Sequence, residues 1–369
     1  MKNVGVVYDQ IFSQHDTGNG HPERAERVIA TVKRLTSLDM YGEGRRTHFE
    51  PIEPRKATPE QILWCHKKKL LDLIEKKSEQ AKRSNSLHFL DGYGETSVSA
   101  ATYEATLKSA GGNFAAIDAI FEKKIDRAFV LCRPPGHHTN TSQARGFCGF
   151  NSVALASQYL FHEKNLKKVA IVDCDVHAGN GTEEIFNSGV MDGEVLFFSL
   201  HQHPRTLYPA TCYPEEIGEG AQEGKNVNLT FYPNSGQQSV KHAFNQIISP
   251  MLEEFKPEFI LISAGFDAHH LDSIANLLYM KQTYSYIFRE LCDFADKHAN
   301  GRVQATLEGG YHLQVLADSI SNSIASMAGE KPPFEEADLQ EDDPRAWEYC
   351  ESHLIPLLKN TLAPYWKCF

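Results

Sequence analysis

The sequence predicts a single α/β domain of three layers, with helices on both faces of a mostly parallel central sheet, and three observations carry that prediction. Short β-rich apolar runs recur along the chain, segments of helical period lie between them, and polar residues collect just after the carboxyl ends of the runs. The first run is Val-Gly-Val-Val-Tyr at 4–8, and others occupy 128–132, 169–172, 195–200, 227–231, 259–263 and 303–307. Apolar runs without alternation suit strands buried on both faces, as parallel sheets require. Helical period over 101–120, 240–255 and 283–298 supplies the crossovers that parallel neighbours need. No repeat, linker or shift of composition divides the chain, so one domain spans 1–369, with a C-terminal helical segment of about 334–369 packed on it. The acidic stretch 334–344 interrupts those helices and reads as a solvated loop.

Bulk properties narrow the function. A content of 41% hydrophobic and 23% charged residues describes an ordinary globular protein with a sizeable core. The net charge of −11 disfavours direct nucleic-acid binding, which needs clustered Lys and Arg, and favours a cationic substrate. The chain starts with the short run 4–8 rather than the longer apolar region of a signal peptide, and no apolar run reaches about 18 residues; the expectation is a cytoplasmic protein that does not insert in membranes. Eight cysteines include no Cys-x-x-Cys pair, and Cys132, Cys148, Cys174 and Cys292 sit in apolar runs, as buried thiols in a reducing compartment would.

The polar residues at the strand ends are the most informative. Arg133–His138 follows one run, Asp173, Asp175 and His177 end the next, Ser199–His201 end a third, Gly265–Asp267 a fourth and Glu308–Tyr311 a fifth. Ligands of open parallel sheets sit at the carboxyl ends of strands, so five strands aim chemistry at one rim. Along an extended segment residues two apart point the same way, which brings Asp173, Asp175 and His177 together. Asp175, His177 and Asp267 form a coherent set of two oxygen ligands and one nitrogen ligand, with a fourth position open as catalytic zinc requires. By itself Asp-x-Asp-x-His also suits a magnesium site or a hydrogen-bond cluster. A two-manganese site would want more ligands than Asp267 on the fourth strand.

His137 and His138 lie on a Pro-Pro-Gly turn, where a stiff backbone points adjacent rings in different directions. Asp173 can hydrogen-bond one imidazole and Asn180 can orient the other, setting the two rings for different protonation states. Tyr311 follows Gly309-Gly310, whose permissive backbone can bring a phenol to a developing oxyanion. Gly146-Phe147 and Tyr208-Pro209 place aromatic rings on loops at the same rim, suited to walling a narrow apolar channel. His201 with His203, and His269 with His270, look like metal pairs, yet each reads as a loop pair without a further ligand, outside the first ring of contacts or at the surface. Cys148 has no base beside it and reads as a buried apolar residue.

Taken in order, these motifs resemble the zinc-dependent histone deacetylase superfamily, specifically class II deacetylases and the bacterial histone deacetylase-like amidohydrolases, related to acetylpolyamine amidohydrolases. The resemblance runs from His21-Pro-Glu-Arg24 to Glu308–Tyr311 and covers most of the chain. It implies the arginase-deacetylase fold and one catalytic zinc ion on Asp175, His177 and Asp267. It further implies His138 as general base and acid, His137 as its electrostatic helper paired with Asp173, and Tyr311 as oxyanion donor. Phe147 and Tyr208 resemble the walls of the acyl-lysine tunnel, lined also by Gly146. Asp173, Asp175, His177, Ser199 and Leu200 resemble the family's structural potassium site, and Arg24 the arginine behind the active site that guards an internal channel. Glu95 and Asp91 are the candidates for the clamp on the substrate backbone. Two positions depart from family patterns: Ala178 stands where a second His usually follows the His ligand, and Ile274 stands where a polyamine-selective relative carries a glutamate. The implied activity is removal of acyl groups, foremost acetyl, from Nε-acyl-lysine in proteins or peptides. The alternatives are an acetylpolyamine amidohydrolase and an acyl-lysine binding module without turnover. A homo-oligomer is compatible with the sequence.

Overall fold

The computed structural model describes residues 1–189 and 192–369. Its frame is an eight-stranded sheet built from β1 (Val4–Val7), β2 (Phe49–Ile52), β5 (Arg127–Val130), β6 (Lys168–Asp173), β7 (Glu194–Gln202), β8 (Asn226–Phe231), β9 (Phe259–Ala264) and β10 (Val303–Leu307). A two-stranded antiparallel ribbon, β3 (His88–Phe89) with β4 (Ser97–Val98), stands apart from it. The sheet order is β2-β1-β5-β10-β9-β6-β7-β8, and every neighbouring pair runs parallel. Each of the seven runs read from the sequence is a strand, and every residue of β1, β5, β8, β9 and β10 is buried, so both faces of the sheet are covered.

The eighth strand, β2, escaped the sequence reading because its Phe-Glu-Pro-Ile segment is neither continuously apolar nor free of proline. It lies at the sheet edge, where a missing N–H disrupts no ladder. Two groups of helices cover the sheet. Thr102–Phe121 packs beside Ser152–Lys164, while Leu313–Ala328 packs against both Glu26–Ser37 and Lys281–His298. The segment expected as one helix over 240–255 contains a π-helical turn, Phe244–Ile248, which ends two residues before Pro250. A similar turn, Cys350–Leu354, precedes Pro356. Proline in a helix interior collides with the carbonyl four residues back, and a widened turn accommodates it.

One contiguous apolar cluster runs from Val4 to Trp366, and the C-terminal helices join it through Leu354, Leu358 and Leu362. The acidic stretch 334–344 is not simply solvated. Glu336 accepts a hydrogen bond from the Lys281 amide at 2.9 Å, and Asp342 accepts from the Gln238 and Ser239 amides at 3.1 and 3.0 Å. Two of its carboxylates therefore latch the C-terminal segment to the body. Among the described residues no helix is long and apolar enough to cross a membrane.

Candidate active site

The five strands whose ends carry the polar motifs, β5, β10, β9, β6 and β7, are consecutive in the sheet. Their carboxyl ends bring Asp175, His177 and Asp267 together, with one donor atom from each lying within 4.8 Å of the others, all buried. His177 Nδ1 stands 3.1 Å from Asp175 Oδ1 and 3.2 Å from Asp267 Oδ2. One Nδ1 proton can serve only one of those oxygens, and Asp267 Oδ2 is buried without a hydrogen-bond partner. The remaining oxygens are aimed by the backbone: Val176 N donates to Asp267 Oδ1 at 3.0 Å and Gly309 N to Asp175 Oδ2 at 2.7 Å. Gly265 and Gly309 lie so close that a Cβ on either would collide with these carboxylates. Burial, with the Asp175 carboxylate next in weight, pushes Asp267 up to about 6. Two crowded buried carboxylates and an imidazole make a donor set that fits a divalent ion such as zinc.

Beside this trio the two histidines of the Pro-Pro-Gly turn have different partners. His137 Nδ1 donates to Asp173 Oδ2 at 3.0 Å. Burial alone would lower its pKa, but Asp173 and then Asp175 overcome that and hold it up to about 10, so His137 is a cation at neutral pH. His138 Nδ1 donates to Asn180 Oδ1 at 2.8 Å, an arrangement consistent with the Asn180 amide nitrogen pointing to Glu184 at 3.4 Å. Its Nε2 therefore keeps the lone pair. Burial, followed by the neighbouring His137 and His177, holds His138 well below the ordinary imidazole range.

Tyr311 approaches from β10 through Gly310, whose φ of +110° suits glycine. Burial first, then the Asp267 charge, pushes its phenol well above the usual range, so it keeps its proton. Behind it the Arg27 guanidinium lies 5.0 Å from the ring centroid and donates to Gly310 O at 2.7 Å and Glu308 O at 2.5 Å. This position belongs to Arg27 and not to Arg24, which is exposed. The helix Glu26–Ser37 turns Arg27, Thr31 and Leu35 inward together, and Arg24 precedes it. Arg27 Nη1 bonds Glu23 Oε1 at 2.8 Å, and Glu23 also pairs with Arg133, forming a fully buried cluster absent from the sequence reading. Glu308 was also without a role there; its Oε2 accepts from the Gly136 and His137 amides at 2.7 and 3.2 Å and so sets the turn that carries both histidines.

A cavity of about 470 Å³ opens onto these groups, walled by Phe147, Leu207, Tyr208, Ile274 and Gly146, with Glu95 and His21 also lining it. The Tyr208 ring meets His138 edge-on at 5.1 Å between centroids and is 42% exposed, which puts it at the mouth. Phe147 meets Tyr311 at 6.2 Å and His21 at 4.6 Å, both edge-on. Of the two clamp candidates, Asp91 is committed to its own loop, accepting from the amides of Tyr93, Gly94, Glu95 and Thr96 at 2.6 to 3.1 Å. Glu95 is the one on the cavity wall. Ser199 and Asp173 are paired across β6 and β7, and buried Leu200 follows. Ala178 is buried, as is Cys148, whose thiol burial pushes well up and out of reactive range.

Of the decoy histidines, His203, His269 and His270 lie in loops as read, and His201 does not. His201 is buried on β7, its Nδ1 2.9 Å from Ser199 Oγ and its Nε2 3.0 Å from Cys212 O, and His203 is buried against Tyr232. His269 and His270 do have a third partner, Glu336, at 3.1 and 3.4 Å. Leu271 N donates to His269 Nδ1 at 3.2 Å, so the proton lies on Nε2 and is given to Glu336. A metal would need that same nitrogen unprotonated, and the trio reads as a hydrogen-bonded latch.

The histone deacetylase domain model matches residues 21–327. The chain belongs to the histone deacetylase family. It is 34% identical to a probable deacetylase of Archaeoglobus fulgidus over 377 aligned residues, covering 99% of both chains. With the chloroplastic histone deacetylase 14 of Arabidopsis thaliana it shares 35% identity, covering 89% of this chain and 78% of that one. The crystal structure of the HDA15 HD domain superposes with a TM-score of 0.85 at 27% identity, covering 99% of this chain and 95% of that one. As a histone deacetylase family member the chain is a hydrolase of the deacetylase type, acting on amides, on the arginase-deacetylase fold.

Proposed function

We propose that this chain removes acyl groups, foremost acetyl, from Nε-acyl-lysine side chains, using one zinc ion held by Asp175, His177 and Asp267. The observation that carries this reading is the meeting of three features on one apolar-walled cavity: the under-satisfied Asp₂His donor set, a His138 Nε2 with its lone pair free, and a protonated Tyr311 phenol. Bound there, zinc supplies Lewis acidity toward the amide carbonyl and lowers the pKa of water from ~16 toward ~7. His138 accepts the proton of the attacking water at Nε2 and returns it to the leaving amine. The cationic His137, anchored on Asp173, keeps its neighbour neutral until that proton arrives and favours the negative charge that develops on the substrate. Tyr311 donates its phenolic hydrogen to that oxyanion, and Asn180 holds the His138 tautomer. Phe147 and Tyr208 exclude water from the methylene stem, and Glu95, on the cavity wall, is the residue we propose to accept a substrate amide at the rim. Asp173 and Ser199, with the backbone at Asp175, His177 and Leu200, are the residues we propose for potassium.

A separate acidic cleft, lined by Glu184, Glu215, Glu216 and Glu219, reaches Asn180. It favours cationic flanks, a chemistry shared by Lys-rich peptides and acetylated polyamines. Ile274 on the wall favours the lysine stem, since it offers no charge to a distal amine. The test is kcat/KM for an acetyl-lysine peptide, longer acyl-lysine peptides and acetylated polyamines under one condition. The peptide should exceed the polyamines by at least tenfold; a reversed order would replace lysine by polyamine as the substrate.

A further inference from the structure

Two anchors hold the amides of the turn that carries Tyr311, and Arg27 holds its carbonyls at Glu308 and Gly310. Gly309 N donates to Asp175 at the metal trio, and the amides of Tyr311 and His312 donate to a single oxygen of Asp272, Oδ2, at 2.6 and 3.0 Å. Those two N–H groups precede the helix Leu313–Ala328 and have no acceptor within it. Their end of the helix carries partial positive charge, which a carboxylate complements. Between the two amide anchors lies Gly310, with φ of +110°; its carbonyl stays bound to Arg27, so loss of the Asp272 anchor frees the chain beyond it, at Tyr311 and His312. Asp272 is buried, at 4% exposed, and its other oxygen accepts from the Ile274 amide at 3.3 Å. One carboxylate thus joins a wall residue of the cavity to the residue whose phenol enters it. Asp272 is itself fixed, because its own amide donates to His269 O at 2.8 Å and His269 is latched to Glu336.

We infer that Asp272 is a positioning residue for the deacetylation step: by clasping the Tyr311 and His312 amides together with that of Ile274, it sets the Tyr311 phenol where the oxyanion forms and ties that placement to the tunnel wall. The inference rests on the assignment of Tyr311 as oxyanion donor. A phenol at the end of an unclasped glycine turn spends much of its time out of place, and misplacement by about 1 Å costs on the order of 10²-fold in rate. No metal ligand bonds to Asp272, and its one link to the cavity wall is the longer bond from the Ile274 amide at 3.3 Å, so most of the loss belongs in kcat.

The test compares Asp272→Ala, Asp272→Asn, Tyr311→Phe and the double variant Tyr311→Phe/Asp272→Ala on one acetyl-lysine peptide. It reads kcat, KM, zinc per chain and amide hydrogen exchange over 309–313. Asp272→Ala should lower kcat by roughly 10- to 10²-fold, shift KM by less than about threefold, retain zinc and speed exchange at Tyr311 and His312. Asp272→Asn keeps one acceptor oxygen, and both kcat and exchange should recover most of the way toward wild type. In the Tyr311→Phe background Asp272→Ala should cost less than about twofold more, because residues acting through one group are not additive. The inference is overturned if Asp272→Ala leaves kcat within twofold of wild type, if its penalty is undiminished in the Tyr311→Phe background, or if zinc is lost. Wild-type turnover by Tyr311→Phe alone would remove the donor assignment and this inference with it. A crippled Tyr311→Phe beside an unaffected Asp272→Ala would remove only the role of Asp272.

Discussion

Gly146→Ala tests whether His138 works from the position in which its neighbours hold it. Gly146 has φ of +58°, and a Cβ there would stand 2.8 Å from His138 Cγ, closer still to Cδ2, and 3.2 Å from His138 Cβ. Ordinary contact begins near 3.4 Å, so the imidazole must retreat by about 1 Å. It has little room to do so: Nδ1 is bound to Asn180 at 2.8 Å, and the Tyr208 ring lies edge-on at 5.1 Å. A ring displaced by about 1 Å loses either that bond or its aim at the attacking water, and a misplacement of this size costs on the order of 10²-fold in rate. The left-handed backbone adds a separate cost of about 1–2 kcal/mol in stability. Gly44→Ala isolates that second effect, since Gly44 has φ of +81° and nothing within 4 Å of its would-be Cβ. The assay is kcat on an acetyl-lysine peptide with zinc per chain and Tm for both variants. Both should lose Tm, Gly146→Ala the more because it also bears the clash, and only Gly146→Ala should lose about 10²-fold in kcat with zinc retained. Activity of Gly146→Ala within twofold of wild type, at full zinc content, would refute His138 as the positioned base.

Further outcomes follow from the same geometry. Asn180→Asp puts a carboxylate against His138 Nδ1 in a setting that already contains His137, His177 and Asp175; the new charge favours the protonated ring, raises its pKa, and moves the acidic limb of the kcat/KM profile to higher pH. An unmoved limb in a folded, zinc-loaded variant would contradict the pairing. Phe147→Ala with Tyr208→Ala should lower kcat/KM while leaving zinc intact. A fully buried ring contributes about 1.5–3 kcal/mol, and Tyr208, being 42% exposed, should fall below Phe147. Unaltered kcat/KM in the double variant would show that the acyl-lysine does not pass between these rings.

Much of the fold was legible because a parallel sheet buries its strands on both faces and so writes them as continuous apolar runs; the runs 259–263 and 303–307 became β9 and β10, the first one residue longer than read. The site was legible for a related reason. Polar residues two apart at a strand end, such as Asp173, Asp175 and His177, have few structural reasons to be there. What was missed depends on helical phase and on single distant contacts. Arg27, not Arg24, reaches the site because residues four apart share a helix face, and the buried Thr31 and Leu35 continue its row; the Glu23 and Arg27 spacing was the available signal. Glu336 lay hidden in an acidic stretch whose composition says solvent, although its carboxylate closes the His269–His270 pair some 66 residues away. Asp272, Glu308 and Glu23 act on backbone amides or buried guanidinium groups, partners that no local pattern announces.

The most direct test of the account is a metal titration of hydrolysis. Protein stripped by a chelator is titrated with zinc while acetate release from an acetyl-lysine peptide is measured, and Asp267→Asn is carried through the same series. The account predicts no turnover in the stripped protein, a linear rise that ends at one zinc per chain, and severely weakened zinc binding in Asp267→Asn. Full activity in verified metal-free protein, or no acetate release from any acyl-lysine at one bound zinc per chain, would contradict it.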